Sequence, residues 1–72
     1  MQPSEKLVYM ANQIARNFAI HGQAEAIEAT ADHIAKFWDP RMRSLIVEHA
    51  SAGGAGLDPV AREAIAQLQH AL

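Results

Sequence analysis

Lys36-Phe37-Trp38-Asp39-Pro40-Arg41-Met42-Arg43 ends one amphipathic run and opens another, with almost no residues left for a loop. Proline disfavours the α region for the residue before it, yet its fixed φ suits the first position of a helix. Asp39 can therefore cap a helix that starts at Pro40, and the two helices must meet at a sharp corner. Adjacent Phe37 and Trp38 cannot both point along one direction of a helix, so one of them stays partly exposed.

Upstream, a second helix is predicted from about Gln23 to Trp38, with Ala24, Ile27, Ala31, Ile34 and Phe37/Trp38 on its apolar face. Asp32 and Lys36 form a favourable i,i+4 pair on its surface. Before it, Leu7, Met10/Ala11, Ile14 and Phe18 recur at helical spacing. Ser4 is the expected N-cap of that first helix and His21-Gly22 its stop. Downstream, helix three runs to about Ser51, with Met42, Leu45, Ile46 and His49 on one side. Gly53-Gly54-Ala55-Gly56 reads as a flexible connection. Asp58-Pro59 then repeats the Asp-Pro opening for a fourth helix carrying Val60, Ala61, Ala64, Ile65, Leu68 and Leu72. No strand is predicted. The expected fold is all-α, a single domain over residues 1–72 of about four short helices with an Asp-Pro corner between the second and third.

Composition narrows the function. The chain has 72 residues, six Lys/Arg against eight Asp/Glu, and no cysteine. Without cysteine there is neither a disulfide framework nor a thiolate metal site. A net charge of −2 argues against a nucleic-acid backbone binder. No apolar run approaches a membrane span, and Pro3 to Lys6 interrupt any signal-peptide pattern, so a cytoplasmic protein is expected. Half the residues are apolar, but 15 are alanine, which buries little area. A chain of this length buries only about 60% of its unfolded surface. A stabilising partner is a sensible expectation.

Each candidate chemistry has an ordinary structural reading that fits better. The glycine stretch lacks a following Lys-Ser/Thr pair and a preceding strand, and Asp58 stands where an anion would sit, so it is read as a helix C-cap and connection. His21, His33, His49 and His70 show no metal-ligand spacing, and His49 reads as a hydrogen-bonded packing residue. Glu25, Glu28 and Asp32 read as a solvated face. Ser4, Ser44 and Ser51 have no triad-like context. No active site, cofactor site or metal site is expected in this chain.

Three stretches taken together carry a resemblance: Leu7 to Ala15 (LVYMANQIA), Phe37 to Arg43 (FWDPRMR) and Gly53 to Pro59 (GGAGLDP). In this order they resemble the delta subunit of cytoplasmic, NAD-dependent, molybdenum-containing formate dehydrogenases. The resemblance implies a non-catalytic accessory subunit for assembly or stability. It also implies that bis-molybdopterin guanine dinucleotide and iron–sulfur clusters lie in the large alpha subunit, and FMN and NAD chemistry in the beta and gamma subunits. Docking on the alpha subunit is then expected, with Trp38, Arg41 and Arg43 as anchors and Phe37, Asp39 and Pro40 shaping the corner. Gly53, Gly54 and Gly56 would add a second contact through unshielded backbone. Two other readings stay open: a transient factor for molybdenum cofactor insertion, and a freestanding homodimeric helical module. Neither nucleic acid nor membrane is an expected partner.

Overall fold

Asp39 takes φ −74° and ψ 165°, the extended geometry that a following proline requires, and its carboxylate Oδ1 accepts the Met42 N–H at 2.9 Å. The corner expected from the sequence is therefore closed by a capped proline start. The computed structural model describes residues 3–71, with side chains through Gln69. The expected roles of Leu72 and of the His70 ring lie outside the described residues.

Four α-helices follow in order: α1 Pro3–Phe18, α2 Gln23–Phe37, α3 Pro40–Ser51 and α4 Pro59–Ala71. A 3₁₀ turn, Ala19–His21, extends α1, and Gly22 turns the chain at φ 94°. No strand occurs among the described residues. The second Asp-Pro opening behaves like the first, since Asp58 Oδ1 accepts the Ala61 N–H at 2.8 Å. Ser4 is not a cap: Pro3 already occupies the helix, where its missing N–H costs nothing, and Ser4 lies inside α1.

α2 lies between α4, its most extensive partner, and α1. Being packed on two sides, it buries a wider arc than one stripe: Ala26, Thr30, Ala31 and Ile34 are buried. Ala24, expected on the apolar face, is exposed. On α1 the buried set is Leu7, Val8, Ala11 and Ala15, while Met10 and Ile14 only flank the core. The buried face is thus rotated from the predicted one, with Met10 and Ile14 at its edge. Ile46 of α3 and Ala61, Ala64, Ile65 and Leu68 of α4 complete the core.

Among the described residues Thr30 is the one buried polar side chain, fully buried, and its hydroxyl has no hydrogen-bond partner there. A buried polar group left unpaired costs more than an apolar group of the same shape. Thr30→Val should raise stability by about 1 kcal/mol in urea unfolding. A loss of stability would mean that the hydroxyl bonds in solution. Trp38→Ala, which empties a large buried volume, should cost about 3–5 kcal/mol and abolish the cooperative thermal transition of so small a chain.

Candidate functional site

At the corner, the two adjacent aromatics part company. Trp38 is 4% exposed and belongs to the core, while Phe37 is 73% exposed. The exposed aromatic is thus Phe37, and Trp38 acts from beneath it. The reason is tertiary: Trp38 turns into the space beside Met10, Ile14 and His33, leaving Phe37 over the outer surface of α2. Phe37 stacks on the His33 ring, with centroids 4.8 Å apart and planes tilted by 42°.

Arg43 is also turned inward along the corner. Its guanidinium donates to Trp38 O and to Ala35 O at 3.3 Å, capping the last carbonyls of α2 from the first turn of α3. Arg41 is exposed and makes no ion pair among the described residues. Asp39 and Pro40 hold the turn itself. The stretch therefore divides into a buried support (Trp38), an internal clamp (Arg43), and two outward groups, Phe37 and Arg41.

The glycine loop differs from its expectation as an open, flexible connection. Each of its four carbonyls has a donor. Gly53 O and Gly54 O accept from the Arg62 guanidinium at 3.4 and 3.2 Å, and Gly54 O also accepts the Leu57 N–H at 3.0 Å. Ala55 O lies 2.7 Å from His49 Nε2, which must carry the proton, so His49 is hydrogen-bonded as expected. Gly56 O accepts from Asn12 Nδ2 at 2.8 Å, and Asn12 Oδ1 accepts the Asp58 N–H at 3.0 Å. Gly54 takes φ 65° and is buried, with the Arg62 guanidinium 3.4 Å from where a Cβ would stand. Gly56 takes φ 85°, and a Cβ there would meet Val8 Cγ1 at 3.3 Å. Positive φ favours glycine at both positions, and at Gly56 the space is tight as well.

Two surface hollows flank these elements. One, of about 430 Å³, lies between the first turns of α1 and α3, lined by Leu7, Met10, Met42 and Leu45 with Lys6, Asp39 and Arg41 at its edges. The other, of about 550 Å³, is lined by Phe18, His21, Ala29 and the carboxylates Glu25, Glu28 and Asp32. Asp32 is held by Lys36 at 3.1 Å on an exposed surface. Among the described residues no group of three His, Cys, Asp or Glu side chains is placed to hold a metal, and the sequence has no cysteine. Without cysteine the chain offers no thiolate for an iron–sulfur cluster. No helix is long and apolar enough to cross a membrane among the described residues.

Sequence reasoning missed Asn12 and Arg62 as loop holders, and Lys6, Met10 and Leu45 as part of a hollow. Asn12 carries a readable signal: it stands one turn from Val8 along the buried side of α1, where a polar residue needs a partner. The partner's position, more than forty residues on, was not readable.

Residues 6–65 match the family described as NADH-dependent formate dehydrogenase delta subunit, FdsD. The match spans most of the chain, which belongs to this family and is a delta subunit of NAD-dependent formate dehydrogenase. No curated protein and no solved structure matches the chain.

Asn12→Ala removes both of its bonds at once and leaves Gly56 O and Asp58 N–H without their partner. It should cost about 1–2 kcal/mol and speed amide hydrogen exchange at Asp58 and Ala61 ahead of the rest of α4. Unchanged exchange at both amides would show that the amide does not hold the loop.

Proposed function

We propose that this delta subunit is a non-catalytic accessory chain that docks on the large, molybdenum-containing alpha subunit and supports its assembly or stability. The observation that carries the reading is Phe37, a large aromatic 73% exposed at the end of α2, next to a capped corner. Asp39 caps the corner, Pro40 fixes its backbone and Arg43 ties α3 to the end of α2. An exposed aromatic and an unpaired arginine, residue types enriched at interfaces, stand on the two sides of this held corner, and its rigidity lowers the ordering cost of binding.

In this reading Phe37 and Arg41 make the contact, while Trp38, Asp39, Pro40 and Arg43 keep it in shape. The loop of Gly53, Gly54 and Gly56 contributes surface shape, since its carbonyls are already engaged within the chain. Molybdopterin, iron–sulfur clusters, FMN and NAD belong to the alpha, beta and gamma subunits, and the complex works in the cytoplasm. In this reading the chain supplies surface and the other subunits supply the chemistry.

The test is retention of this chain on a complex purified through a tag on the alpha subunit. Phe37→Ala should reduce affinity on the order of tenfold or more, as truncation of an interface aromatic does. It should leave the helical circular dichroism of the isolated chain unchanged, because most of the ring already faces water. Wild-type retention of a folded Phe37→Ala chain would overturn the docking role of the corner.

A further inference from the structure

The chain carries six Lys and Arg side chains, and the fold accounts for four of them. Lys36 pairs with Asp32 at 3.1 Å, Arg43 caps α2, and Arg62 holds the glycine loop. Arg16 stands in the last turn of α1, where the helix dipole favours a cation. Lys6 and Arg41 remain. Both lie in the first turn or so of a helix, at the positive end of its dipole, where a cation is disfavoured. Neither has an ion-pair partner among the described residues. Both stand on the edge of the same hollow, between the starts of α1 and α3.

That hollow has an apolar floor. Met10, Met42 and Leu45 pack only partly against the core, so they leave side-chain surface open to the outside. Asp39 also lines it, but its Oδ1 is engaged as the cap of Met42 N–H. Two unpaired cations and two helix N-termini thus surround a cleft of methionine and leucine in a protein whose net charge is −2. Local choices that oppose the fold's own preferences mark places selected for something else.

We infer that this cleft receives an acidic amphipathic segment of the large subunit, whose apolar side chains cover Met10, Met42 and Leu45 and whose carboxylates pair with Lys6 and Arg41. The inference rests on the docking reading above and adds its place and its chemistry. Methionines suit such a seat because their unbranched side chains adapt to the incoming surface. Opposite charges at the rim steer association and fix the orientation of the incoming segment.

The experiment uses this chain and the complex of the other subunits prepared without it. Lys6→Glu/Arg41→Glu reverses both rim charges and places carboxylates in helix starts, which the dipole favours, so the fold is kept. The double variant should bind at least about tenfold more weakly at low salt and lose the salt dependence of the wild-type chain. A photo-crosslinking residue in place of Leu45 should join an acidic segment of the large subunit. If the double variant binds as wild type while Phe37→Ala is still released, the cleft is overturned and the docking reading stands. If the wild-type chain itself does not bind, both fall. A crosslink to a second copy of this chain would replace the inferred partner with self-association and overturn the inference.

Discussion

One side-chain amide decides where the second half of this protein goes. Asn12, midway along α1, donates to Gly56 O and accepts from Asp58 N–H, so the first helix grips both ends of the turn that launches the fourth. Asp58 in turn caps α4 through Ala61 N–H, and α4 then forms the largest contact with α2. Each bond is modest by itself, about 1 kcal/mol net. Their arrangement matters more, because the segment from Gly53 to Gly56 offers no apolar side chain larger than alanine to hold it by packing. Arg62 and His49 complete what Asn12 begins, and a glycine-rich turn becomes a fixed part of the body.

The same economy runs through the rest of the fold. Alanines fill many of the buried positions and give a small core, with Trp38 as its only buried aromatic among the described residues. Polar clamps then do what large side chains would do in a bigger domain. Arg43 stitches α3 to α2, and Asp39 and Asp58 each cap a helix that opens on proline. A body fixed in this way loses little freedom on binding, which suits the docking role proposed above. The exposed Phe37 and the cationic cleft are both mounted on these clamps, on either side of the Asp-Pro corner.

Helix boundaries at Asp39-Pro40 and Asp58-Pro59 were legible in the sequence because proline sterics and carboxylate capping act over three residues. The division of labour between Phe37 and Trp38 was not, since it depends on where α1 lies across the corner. Arg41 and Arg43 look equivalent in sequence, yet one caps a helix and the other faces outward. The loop read as flexible for a similar reason: its holders, Asn12, His49 and Arg62, are scattered over three helices. Local chemistry gave the four elements, and only their assembly assigns the roles of individual side chains. The resemblance rested on the three quoted stretches, all within the residues that match the family, and Asn12, Arg43 and Gly56 within them tie elements of the fold together.

In the proposed role this delta subunit stays bound to the large subunit as a structural partner. Native mass spectrometry of formate dehydrogenase purified through a tag on this chain tests it most directly. The account predicts the molybdenum-loaded large subunit at a fixed ratio to this chain, with the other subunits attached. Recovery of the chain alone, of a homodimer, or of a substoichiometric large subunit lacking molybdenum would contradict it.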